Sequence, residues 1–199
     1  YIIMNIIVAA CKNRGIGFKN TLPWTLKAEM KYFKNVTKDG GNSAVVMGKN
    51  TWLSLKKALP KRDNFVVSST AVNHHWPIEA SKFNKFTFIE DIRDIKRILP
   101  DYDDIWIIGG EKLYKSFINH KNIKAIYYTD IKNEFNCDTF FPEIPPNFSQ
   151  IYNSNDIIEN NIHYNIKIYK NNNFSHSDNI LIKKYIKNNF ISNQSMDYL

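Results

Sequence analysis

Leu22-Pro23-Trp24-Thr25-Leu26-Lys27-Ala28-Glu29-Met30-Lys31-Tyr32-Phe33 leads a glycine-containing loop into a helix and sets an acid on it. Pro23 and Trp24 close the loop. Thr25 stands in the capping position, and Leu26, Met30 and Phe33 recur at helical spacing, which predicts a helix over 26–37. Glu29 and Phe33 lie four apart, on one face. A carboxylate among aromatic and aliphatic groups is costly unless a cation or hydrogen-bond donor meets it. The pattern is that of one acid presented to a flat, polar-edged ligand in an apolar cleft.

Outward from this helix, strands and helices alternate. Residues 2–10 form a continuous apolar run, as a strand covered on both faces requires. Residues 11–24 read as a loop containing Gly15 and Gly17. Downstream the pattern predicts a strand over 43–47 ended by Gly48, a helix over 51–57, and strands over 64–68 and 86–89. A helix over 91–99, stopped by Pro100, precedes a strand over 105–108 closed by Gly109-Gly110. A helix over 111–119, a long strand over 123–131 and an antiparallel pair over 150–155 and 162–169 complete the series. This order predicts an α/β fold with a mostly parallel sheet.

The character changes after Tyr169. Asn171-Asn172-Asn173 opens a polar stretch, and Ile182, Tyr185, Ile186, Asn189 and Phe190 trace a short amphipathic helix. The expected organisation is one domain over 1–170, followed by a polar linker or tail over 171–199 that reads as a junction to a further domain. The start at Tyr1 and the end at Leu199 read as those of a fragment.

The chain has 199 residues, 43% of them hydrophobic and 23% charged, which suits one domain with a full core. It has no apolar run of membrane-spanning length, and the apolar start lacks the basic residues of a signal peptide. Cys11 and Cys137 lie far apart, with no partners at metal-binding spacing. That pattern fits free thiols in a reducing, cytoplasmic setting. The net charge of +8 invites a nucleic-acid reading, but the lysines are scattered and a solvated basic surface is the plainer one. His74 and His75 are adjacent, so they point in different directions and read as a surface loop, with no metal.

Three predicted strand ends run into glycine or hydroxyl residues: Met47-Gly48-Lys49-Asn50-Thr51, Val67-Ser68-Ser69-Thr70 and Ile107-Ile108-Gly109-Gly110-Glu111. The carboxyl ends of parallel strands form the ligand crevice of an open α/β sheet. Backbone N–H groups at a helix start bind phosphate there. Lys49 and the hydroxyls of Thr51, Ser68 and Ser69 would add donors. One such turn is ordinary; three together point to a polyanionic ligand.

The ordered set of motifs resembles the dihydrofolate reductase family over roughly residues 3–170. It comprises Ile7-Val8-Ala9-Ala10, Gly15-Ile16-Gly17, Leu22-Pro23-Trp24, Glu29 with Phe33, Met47 to Trp52 and Leu59-Pro60-Lys61-Arg62. Ser68-Ser69, Ile108-Gly109-Gly110-Glu111-Lys112-Leu113-Tyr114, Tyr128-Thr129 and Asp138-Thr139-Phe140-Phe141-Pro142 complete it. The resemblance implies a single α/β domain with a twisted, mostly parallel mixed sheet and helices on both faces. It implies reduction of dihydrofolate by NADPH.

By this resemblance Glu29 is the active-site carboxylate, supported by Trp24 through a water and by the Thr129 hydroxyl, with Tyr114 beside them. Ile7, Val8, Phe33 and Ile108 wall the pteridine pocket; Lys34, Leu55 and Leu59 flank the rest of the substrate. Arg62 holds the substrate's α-carboxylate, a task suited to a forked donor. Ala9, Gly15, Ile16, Gly17, Asn20 and Thr21 belong to the nicotinamide side, where residues 15–21 form a mobile loop. Gly48, Lys49, Asn50, Thr51, Ser68, Ser69 and Thr70 take the cofactor phosphates. Gly109, Gly110, Glu111, Lys112, Leu113 and Tyr114 form a second phosphate-binding turn, in which the family has a cis Gly-Gly peptide. The isolated domain is expected to be a monomer. Residues 194–199 resemble the opening of a thymidylate synthase, and fusion to one would give a dimer.

Two other readings stand beside this one. A reductase of the same fold acting on a riboflavin-pathway pyrimidine would not need Glu29, Trp24 and Arg62 together. A basic nucleic-acid-binding domain would show salt-dependent binding without NADPH oxidation.

Overall fold

The protein is described from a computed structural model, over residues 3–38, 41–55, 57–68, 86–89 and 102–174. Strand β1 (Met4–Ala10) is the buried apolar run at the start of the chain. It pairs in parallel with β6 (Asp104–Ile107) on one side and β7 (Ile123–Ile131) on the other. Strands β3 (Ser43–Gly48), β4 (Asp63–Val67) and β5 (Phe86–Ile89) extend the parallel sheet beyond β6. Beyond β7 the direction reverses. Strand β11 (Ile162–Asn171) runs antiparallel to β7 and pairs with β9 (Phe148–Asn153) and β10 (Ile157–Glu159). The order is β10-β11-β7-β1-β6-β3-β4-β5, with β9 on β11.

Alternation along β1 explains its apolar sequence, in which Asn5 is the one polar residue. Ile6 and Val8 enter the core that holds Leu113 and Phe117 of α3 (Glu111–Phe117). Ile7 enters the opposite core with Tyr32 and Val36 of α1 (Lys27–Val36). Both faces are covered, so both sets of side chains are apolar except Asn5, which is buried with them. The expected α/β architecture, mostly parallel with helices on both faces, is the one observed.

Several expectations are corrected. Residues 11–24 are not all loop: β2 (Gly15–Gly17) pairs antiparallel with β8 (Thr139–Phe140) in a separate small sheet. Lys19 and Asn20 both have positive φ, 48° and 60°, and form the two-residue turn between Phe18 and Thr21. Helix α2 (Lys49–Ser54) starts two residues before the expected 51, directly after Gly48. Strand β10 had no alternating signal and was absent from the expected elements. Strand β11 runs through Asn171, which is buried, so the first residue of the polar stretch closes the sheet. The helix expected over 91–99, the segment 71–85 with His74 and His75, and the helix expected around 182–190 lie outside the described residues.

The α1 stripe also differs. Leu26, Tyr32 and Val36 are buried with Glu29, while Met30 is 48% exposed. The acid, not the methionine, faces inward, because apolar spacing cannot distinguish a core position from a cleft position. Thr25 does not cap. The N-cap residue is Leu26, which makes no side-chain cap bond.

Candidate active site

Glu29 projects from the first turn of α1 and is 6% exposed. Its Oε1 accepts the hydroxyl of Thr129, on β7, at 3.1 Å. Burial pushes its carboxyl up to about 7; the Thr129 bond opposes this and the nearby Glu159 carboxylate adds to it. Leu22, Trp24, Thr25, Leu26, Lys27 and Met30 line the same cavity, of about 280 Å³. The Trp24 indole Nε1 is buried there with no hydrogen-bond partner among the described residues. An apolar cleft with one titratable acid and one open donor suits a flat ligand with polar edges.

Arg62 sits just before β4 and is 7% exposed. Its Nε donates to the Pro60 carbonyl at 3.2 Å and its Nη1 to Thr37 Oγ1. The guanidinium lies 5.9 Å from the centre of the Phe33 ring. No carboxylate among the described residues pairs with it, and burial lowers its pKa to about 10. A buried cation without a protein anion is arranged for an anionic ligand. Thr37, fully buried at the end of α1, donates its hydroxyl to the Phe33 carbonyl at 2.8 Å and so holds the Arg62 fork in place.

The ends of β3 and β6 meet at their glycines. Gly48 N–H donates to the Gly109 carbonyl at 2.7 Å, and the Gly109–Gly110 peptide is cis. Gly109 has φ +105°, and a Cβ there would stand 2.9 Å from the Tyr114 ring. Helices α2 and α3 start on either side of this contact, and a Cβ on Gly110 would lie 3.3 Å from Thr51 Oγ1. Two helix starts and Lys49 converge here. Tyr114 is buried, donates its hydroxyl to the Ile7 carbonyl at 2.8 Å, and is held protonated by burial.

The β2 hairpin is tied to the segment before β8. Lys19 N–H donates to Asp138 Oδ2 at 2.8 Å, Asp138 N–H to the Gly17 carbonyl at 3.0 Å, and Thr139 Oγ1 to the same carbonyl at 3.1 Å. Cβ atoms at Gly15 and Gly17 would collide with Cys137 Sγ at 2.4 Å and Thr139 Oγ1 at 2.8 Å.

A family profile for dihydrofolate reductase matches residues 3–172. The chain belongs to the dihydrofolate reductase family. It is 34% identical to the dihydrofolate reductases of Aedes albopictus, where 83% of this chain and 96% of the relative align, and of Drosophila melanogaster, with 82% and 95% aligned. It is 29% identical to a bifunctional dihydrofolate reductase-thymidylate synthase of Daucus carota, with 82% of this chain covering 33% of that protein.

Within this reductase fold, the structure brings Glu29, Trp24, Thr129, Ile7 and Phe33 to the α1 side of the sheet. Ile108 and Leu55 and Leu59 are half-buried and pack against the same core. Val8 does not join them: its side chain enters the opposite core, so only its backbone can reach this cleft. Lys34 is exposed, and Leu113 is buried in the α3 core. Glu111 is engaged by Lys115 at 2.5 Å and by the Phe140 N–H at 3.2 Å. Ala9 on β1 and Ile16 on β2 are half-buried, Asn50 on α2 and Lys112 on α3 are exposed, and Ser68 is buried, its N–H donating to the Ile89 carbonyl at 2.9 Å. Ser69 and Thr70 lie outside the described residues. Sequence reasoning missed Leu22 and Met30 as cleft residues, Thr37 as the support of Arg62, and Glu159. The adjacency of Met30 to Glu29 on the helix was the available signal for the first.

Proposed function

We propose that the chain reduces 7,8-dihydrofolate to 5,6,7,8-tetrahydrofolate with NADPH. The carrying observation is the buried Glu29 carboxyl, bonded to Thr129 and facing an apolar cleft, with its pKa near neutrality. The uncompensated Arg62, on the same side of the sheet, fits a substrate with a flat heterocycle at one end and a carboxylate at the other.

Glu29 would accept the amino edge of the pterin and fix the ring's orientation. Its charge favours the ring protonated at N5, and an iminium accepts hydride at C6 more readily than an imine. Trp24 Nε1 offers a donor to a water or to the ligand beside the acid. Arg62, held by Thr37, would bind the α-carboxylate with its free fork. The paired glycines and helix starts fit a dinucleotide: Lys49, Asn50 and Thr51 would take its phosphates with Gly110 N–H, and Ser68 would stand nearer the adenosine end. NADPH, when bound, supplies the hydride. A cytoplasmic setting accords with Cys11 and Cys137, whose free thiols lie 3.8 Å apart.

The test is loss of reduced-nicotinamide absorbance in purified protein given dihydrofolate. Oxidation of NADPH in strong preference to NADH is expected. No dihydrofolate-dependent change would end this reading, and equal rates with both cofactors would show that Lys49 and its neighbours read no 2′-phosphate, the group by which NADPH differs from NADH.

A further inference from the structure

The start of α1 is held from the far edge of the sheet. Leu26 has no side chain able to cap, yet the first N–H groups of a helix need acceptors. Glu159, the last residue of β10, supplies both. Its Oε1 accepts Lys27 N–H at 2.6 Å and its Oε2 accepts Ala28 N–H at 3.0 Å. The next residue adds a third tie: Asn160 Nδ2 donates to the Thr25 carbonyl at 3.1 Å. Asn160 and Asn161 have φ of 52° and 60°, so they form the two-residue turn into β11 that sets Glu159 at the hairpin tip. Tyr164, buried in β11, lies beside the same carboxylate; burial, and then that carboxylate, raise its pKa. Asn133 bonds the hairpin to the end of β7, accepting His163 N–H at 3.0 Å.

We propose that Glu159 is a positioning residue for Glu29: its carboxylate anchors the first turn of α1 and sets the charge that the site acid faces. Glu29 lies one residue beyond Ala28, so the anchored turn is the one that carries it. The groups facing Glu29 are Thr129 from β7, Tyr114 from α3, Tyr164 from β11 and Glu159 from β10, with Lys27 on its own helix. Burial keeps both tyrosines neutral through the working range, Tyr164 being pushed up to about 12. Glu159 is the carboxylate beside Glu29 among the described residues, and its repulsion favours the protonated form of Glu29. Removing its charge also frees the helix N-terminus to stabilise the Glu29 anion. The two effects have the same sign.

The name "site acid" rests on the proposed reductase activity, so the primary readout needs no substrate. The full chain is labelled with carboxyl-13C glutamate, and Glu29 is assigned by its loss in E29Q. In E159Q the Glu29 titration midpoint should fall by about half a unit or more. In E159A the Lys27 and Ala28 amides should also exchange roughly tenfold faster. A folded E159Q whose midpoint stays within about 0.2 unit of the parent overturns the electrostatic role. Unchanged exchange of both amides in E159A, or in E159Q if E159A does not fold, overturns the anchor. The acid limb of the kcat/KM profile should follow the NMR midpoint. A shifted midpoint in a protein that reduces no dihydrofolate supports the positioning role and sinks the activity alone.

Discussion

Burial raises the Glu29 carboxyl from 4.5 to about 7, and that shift has a consequence for folding. Below 4.5 the group is protonated folded and unfolded, and it exacts no penalty. Between 4.5 and 7 the unfolded chain releases the proton while the folded one keeps it, so stability falls as pH rises. Above 7 the penalty is complete, at about 3 kcal/mol. Glu29→Gln keeps the shape and an acceptor for Thr129 while removing the charge. It is expected to stabilise the free protein by up to about 3 kcal/mol at pH 8 and by almost nothing at pH 4. Denaturant melts at the two pH values read this directly. Turnover should fall about a hundred- to ten-thousand-fold at neutral pH. Activity within a few-fold of the parent would leave Glu29 a structural residue.

At the scale of the element, α1 serves the site at both ends. Its first turn carries Glu29, and its terminal Thr37 holds Arg62. An interaction made equally in ground and transition states alters KM and leaves kcat alone. Arg62→Leu is therefore expected to raise KM for dihydrofolate, by about 2–5 kcal/mol of lost binding if the pair with the substrate is desolvated. Thr37→Val should raise it less, since the guanidinium remains and only its aim is lost. Both variants should bind small diaminopyrimidine inhibitors, which lack the carboxylate, nearly as the parent does. Inhibition constants for a glutamate-bearing antifolate and a diaminopyrimidine settle the matter. Equal losses for the two would make Arg62 a fold residue.

For the whole molecule, the parallel centre is joined to an antiparallel end that closes at Asn171. This buried side chain donates to the Ile123 carbonyl at 2.9 Å. Its Oδ1 accepts Asn147 Nδ2 at 3.2 Å and Asn173 N–H at 3.1 Å. Loss of such a hub leaves buried polar groups unpaired, at about 1–3 kcal/mol each in the worst case. Asn171→Ala is expected to lower the melting temperature by several degrees without changing KM. A melting curve that superimposes on the parent's would return Asn171 to the linker it resembles in sequence.

Local chemistry made much of this legible. The run 2–10 read as a doubly covered strand, the glycines at 48 and 109–110 marked strand ends, and Glu29 stood out as an acid among apolar residues. Those signals lie within a few residues of one another, where spacing constrains geometry. What the sequence left open depends on segments distant along the chain. Glu29 turns inward and Met30 outward because Thr129 on β7 meets the Glu29 face of α1. Gly15–Gly17 becomes a strand only because β8 arrives beside it. Leu26 can start a helix only because Glu159, more than 130 residues later, fills the cap that Thr25 does not. Acceptors and partners brought from afar carry no periodicity, so the tertiary structure alone decides them.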